Sequence, residues 1–170
     1  KGAEEVLRDR LKIAPRDGRA VRALIALLRS TDRMDNAKEE AKKLSALEGQ
    51  AAVGQYLLGA LYLGEQDYLS AETAFRSSLD AAPLAREPIQ GLVLSLVRSG
   101  QSTQAKAFLE DFTTQYPENL WAKTLLGQVL AGEGDTEAAA AILESTLQSD
   151  ESWLPAYTTL RRSKRQSCSK

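Results

Sequence analysis

The chain has 170 residues, 43% hydrophobic and 26% charged, with 22 basic and 23 acidic side chains, one cysteine and no histidine. This balance is ordinary for a folded protein and argues against a disordered one, and the longest apolar runs, such as Leu92 to Val97, fall far short of the roughly twenty residues that cross a bilayer. Without histidine the usual general base, zinc ligand and neutral-pH switch are missing, and Cys168 alone can form neither an internal disulfide nor a Cys/His metal site.

In chain order the sequence repeats with a period of 34. Residues 1–17 hold one helical pattern, with Ala3, Leu7 and Leu11 in register and Pro15 at its end. Residues 18–51 carry two, marked by Leu24 and Leu28, then Ala37 and Ala41, with Gly49 in the place of the proline. Residues 52–85 repeat them as Leu58, Gly59, Tyr62, Ala71, Phe75 and Pro83. In residues 86–119 the series becomes Leu92, Val93, Leu96, Ala105, Leu109 and Pro117, and in 120–153 it becomes Leu126, Gly127, Leu130, Ala139 and Leu143. Apolar residues recur at helical spacing within each unit, so each is a pair of helices. The stretches Gly64–Asp67, Ser99–Ser102 and Gly132–Thr136 supply the breakers and capping residues of the turns between them. "GEGD" at 132–135 is therefore a helix-to-helix turn, since no strand precedes it as a phosphate loop would require. Pro88 falls in the first turn of its helix, where no N–H is needed.

Residues 154–164 hold a first helix only, departing from the pattern at Arg161, where a small residue is expected. The half-units at the two ends fit either a piece of a longer array or an array with a capping helix. The last ten residues carry five basic groups and no acid; removing those five charges from the net −1 leaves −6 on residues 1–160. An acidic body argues against a nucleic-acid partner, and residues 165–170 are expected to be a disordered basic tail.

A Leu-Gly step, an aromatic, an alanine, a second aromatic and a proline at set places in 34 residues resembles the tetratricopeptide repeat (TPR). The resemblance implies an all-α fold, a right-handed α-solenoid of antiparallel helix pairs with about ten helices, forming one array over residues 1–164. It further implies close approach of Gly59 to Ala71 and of Gly127 to Ala139. First helices of such arrays line a concave groove that holds peptides. The groove positions carried over to this chain include Arg19, Arg22, Arg29, Val53, Tyr56, Leu63, Gln90, Leu94, Trp121 and Gln128. Ala26, Ala60, Glu87, Val97, Thr124 and Ala131 complete the register.

The expected function is thus a protein–protein interaction scaffold binding a peptide segment of a partner, with acidic residues near the arginines and apolar ones near Tyr56, Leu63 and Leu94. A carboxylate-tail clamp is not expected, because Ala26 and Leu57 occupy its asparagine places and Glu87 a lysine place. The alternative is a homo-oligomerising structural module of a bacterial envelope or exopolysaccharide assembly system. No catalytic activity, cofactor, metal or small-molecule substrate is expected, and cytoplasm and periplasm are both compatible.

Overall fold

The structure, a computed structural model, describes residues 2–167, with side chains to Ser163; Cys168 and the rest of the expected tail lie outside the described residues. Ten helices follow one another among the described residues, with no strand between them. They are α1 (Ala3–Ile13), α2 (Gly18–Ser30), α3 (Met34–Ser45), α4 (Ala51–Gly64), α5 (Tyr68–Ala81), α6 (Arg86–Arg98), α7 (Ser102–Gln115), α8 (Leu120–Glu133), α9 (Thr136–Ser149) and α10 (Leu154–Ser167). This is the all-α helix order of an α-solenoid. Helix α10 runs into the segment expected as a tail, as far as Ser167. The chain forms two compact units, residues 1–99 with α1–α6 and residues 100–170 with α7–α10.

The period of 34 is visible in the backbone itself. Asp32, Gln66, Gly100 and Gly134 all have left-handed φ, at 57°, 64°, 80° and 89°, and each ends the turn after a first helix. At three of these turns the next N–H donates back across the helix end: Arg33 to the Leu28 carbonyl at 2.8 Å, Asp67 to Tyr62 at 3.0 Å and Asp135 to Leu130 at 3.0 Å. That six-to-one bond is the Schellman closure, which satisfies a carbonyl the helix leaves open. Aspartate then starts the next helix in two cases, Asp67 accepting from the Ser70 N–H and Asp135 from the Ala138 N–H, both at 3.1 Å. Short turns of this kind hold consecutive helices antiparallel.

Apolar positions of the repeat make the cores. In the first unit Leu24, Leu28, Ala37, Ala41, Leu58 and Phe75 are buried, and in the second Ala105, Leu109, Leu126, Ala139 and Leu143. A Cβ on Gly59 would stand 2.8 Å from the Phe75 ring and one on Gly127 2.7 Å from Leu143, so each glycine makes room for the large residue one turn beyond the alanine. Helical Cα–Cβ bonds lean toward the N-terminus, so a bulky side chain covers the level of the preceding turn. There are two further close approaches. Gly91 on α6 also meets the tip of the Phe75 ring, where a Cβ would lie 2.5 Å from Cε1, and Gly54 on α4 lies against the backbone of Ser45 at the end of α3.

Candidate functional site

The site expected from the sequence lies on the first helices, so its geometry is set by which faces of α2, α4 and α6 remain open in the first unit. Helices α2 and α4 both pack on α3, and α4 also touches α6 directly. On α2, Ala20, Val21, Leu24, Ile25 and Leu28 are buried. Arg19, Arg22 and Arg29 are spaced by three and seven residues, which puts them within an arc of about 80° on one face. All three are exposed.

Their electrostatic setting is unlike that of the other basic groups around them. Arg8, Arg10, Lys12, Arg16, Arg33, Lys38, Lys42, Lys43 and Arg76 each reach a carboxylate at 2.7 to 3.5 Å. Among the described residues Arg19, Arg22 and Arg29 have no such partner, nor does Arg98 at the end of α6. The paired groups knit the unit together. Glu4 of α1 accepts from Arg33 at 2.7 Å and from Arg8 at 2.9 Å, and these two guanidiniums hold its carboxyl below the ordinary carboxylate range. Arg10 and then the Ala20 N–H lower Asp17 in the same way. Lys38 donates to Glu65 at 2.8 Å and sits 5.3 Å from the Tyr62 ring centre, and the Glu65 bond raises its pKa.

The apolar candidates divide into those already occupied and those left open. Val53 is half-buried against the core of the first unit. Tyr56 is half-buried too, its ring 6.2 Å from that of Phe75 and tilted by 43°. Leu63 is half-buried, while on α6 Gln90 is exposed and Leu94 and Val97 stand 40% and 39% exposed. The most open apolar positions of these helices are thus one helix further along than Tyr56, on the neighbour that α4 touches. In the second unit, Trp121 is half-buried and engaged with neighbouring groups. Gln128 is exposed and its amide donates to the Thr159 hydroxyl at 3.3 Å. Trp153 donates its indole N–H to Thr124 at 2.9 Å, so these two serve the packing of α8 with α10.

No group of three or more metal-binding side chains occurs among the described residues. An open hollow of about 540 Å³ lies beside Arg10, Pro15, Arg16 and Leu47, but Arg10 is bound to Asp17 and Arg16 to Glu48. No helix among the described residues is long and apolar enough to cross a membrane. Sequence reasoning did not anticipate Gly54 and Gly91, nor the exposed Leu154 and Tyr157 on α10, at 71% and 51%.

A helix pair closed by the same left-handed turn every 34 residues defines a helical-repeat fold. Residues 96–163 match the family model of the tetratricopeptide repeat, and no curated protein matches the chain. Solved structures agree on the fold. YrrB, a TPR protein with an unusual peptide-binding site, is similar at 20% identity and a TM-score of 0.60, over 96% of this chain and 84% of that one. MamA is similar at 20% identity and a TM-score of 0.65, over 88% of each chain. TTC0263, a thermophilic TPR protein of Thermus thermophilus, is similar at 16% identity and a TM-score of 0.67, over 94% of this chain and 88% of that one. Residues 96–163 are thus similar in sequence to the tetratricopeptide repeat, and the chain shares its fold with these solved structures.

Proposed function

We propose that the first-helix face of residues 1–99 binds a peptide segment of a partner protein, with α2, α4 and α6 as its floor. The observation that carries this reading is the pairing of two kinds of unsatisfied surface on the same series of helices. Three arginines on α2 have no carboxylate, and Leu94 and Val97 are left open on α6, the helix that α4 touches. Tyr56 contributes less than its aromatic character suggests, because one side of its ring already rests near Phe75. Arginine forks suit carboxylates, and aliphatic side chains next to an aromatic give area at little entropic cost.

Panning a library of random twelve-residue peptides on the 170-residue chain tests the reading. Enriched peptides should lose affinity to Leu94→Asp and keep it to Leu69→Asp, a control on α5 where the leucine is 73% exposed. Failure to enrich any peptide, or equal loss on both variants, contradicts it.

A further inference from the structure

We infer that the segment held by this face is acidic along its length, with side-chain carboxylates spread over about five residues seated on Arg19, Arg22 and Arg29, and that it is not read through a chain-terminal carboxylate. The inference rests on the peptide-binding reading above and specifies the partner's chemistry.

Three observations carry it. First, the charges are left over selectively. The described basic side chains of α1, α3 and α5 find carboxylates, and so do Arg16 and Arg33 in the turns on either side of α2. The three arginines on the open face of α2 do not. Carboxylates are plentiful, since residues 1–99 carry fourteen acidic side chains, yet among the described residues none pairs with these three arginines.

Second, the spacing suits an extended chain. Arg19 and Arg29 are ten residues apart, a rise of about 15 Å along the helix. An extended peptide covers that distance in about five residues at roughly 3.3 Å each. One carboxylate, terminal or otherwise, cannot serve both ends, whereas two or three side-chain carboxylates on alternate residues can. Each guanidinium presents a planar fork that matches one carboxylate.

Third, the charge is local. Fifteen basic residues face those fourteen acidic ones in residues 1–99, so there is no broad positive surface of the kind a nucleic-acid backbone or anionic bilayer recruits. A short acidic stretch needs only the α2 face. Apolar residues on either flank of that stretch would then meet the α4 and α6 part of the floor.

The test uses the 170-residue chain and the same twelve-residue library, read for composition. Enriched peptides should contain two or more Asp or Glu within a five-residue window, with or without a free C-terminal carboxyl. In fluorescence anisotropy a representative peptide should bind about tenfold more weakly to the Arg19→Gln/Arg22→Gln/Arg29→Gln variant, and amidation of its C-terminus should have no effect. Affinity should fall as NaCl rises, while a far-UV circular-dichroism melt confirms that the exposed substitutions leave the fold intact. Peptides that are enriched but neutral, and bind the triple variant unchanged, would overturn the acidic inference and leave the peptide-binding reading standing. Absence of any enriched peptide would overturn both. Tighter binding of a single-stranded oligonucleotide, or of phosphatidylserine vesicles, than of any acidic peptide would also overturn it.

Discussion

Gly91→Ala puts the packing account at risk most sharply, because two opposite effects meet at one atom. In an exposed helix interior the change gains about 1 kcal/mol of helix propensity. Here the added carbon would lie 2.5 Å from Phe75 Cε1 and 2.7 Å from Cε2, where carbon atoms prefer 3.5 to 4.0 Å. The ring would have to retreat by about 1 Å. It has little room to move, since Phe75 is 1% exposed and its ring also lies so close to Gly59 that a Cβ there would be 2.8 Å away. Overpacking of this kind costs about 1 to 3 kcal/mol, so a net loss of about 1 to 2 kcal/mol is expected. Urea unfolding followed by circular dichroism measures it. The clash also predicts its own remedy. In a Phe75→Leu background, with a smaller and more adaptable side chain opposite, Gly91→Ala should be neutral or stabilising, giving a coupling energy of at least about 1 kcal/mol. A Gly91→Ala protein as stable as its parent in both backgrounds would refute the placement of Phe75 between α4 and α6.

Gly54→Ala should be worse than Gly91→Ala, by about 2 to 3 kcal/mol in the same assay, because the new carbon meets the Ser45 backbone and not a side chain that can turn aside. Gln66→Gly should stabilise by about 0.5 to 1 kcal/mol, since it removes a left-handed strain of about 1 to 2 kcal/mol and returns part of that in chain entropy; Gly134→Ala should lose about 1 kcal/mol at the equivalent turn. Thermal stability should fall on acidification. Glu4 and Asp17 have lowered pKa values in the folded chain, so their contribution is present above the unfolded value and is lost as pH drops from about 5 toward 2. Melts from pH 7 to pH 2.5 should show this loss reduced in Glu4→Gln, and an unchanged profile would count against the Glu4–Arg33–Arg8 linkage.

The fold was largely legible because the repeat is a statement about periodic burial. The positions of Leu58, Ala71 and Phe75 recur every 34 residues, and in the four full units all are buried where the pattern puts them. The turns were legible at Gly64–Asp67 and Gly132–Thr136 through their capping aspartates, yet nothing in the residue types marked Asp32 and Gln66 as left-handed. Their φ is imposed by the same Schellman closure that glycine occupies at positions 100 and 134. Gly54 and Gly91 were opaque for a different reason: each answers one particular neighbour, Ser45 or Phe75, that meets it only when the helices pack. The arginines of α2 were legible as a face but not as an unpaired one. Pairing is settled by side chains such as Glu4 with Arg33, or Arg8 with Glu40, which are 29 and 32 residues apart and meet only when helices pack. Tyr56 shows the converse, since its contact with Phe75 removes part of a surface that its register position offered to a ligand.

Hydrogen–deuterium exchange on the 170-residue chain, with and without a library-selected peptide at saturation, tests the central claim most directly. Binding on the first-helix face predicts slowed exchange along α2, α4 and α6, strongest around Arg19 to Arg29 and Leu94 to Val97, with α1, α3 and α5 unchanged. Protection confined to α1, α3 and α5, or to residues 100–167, would contradict it.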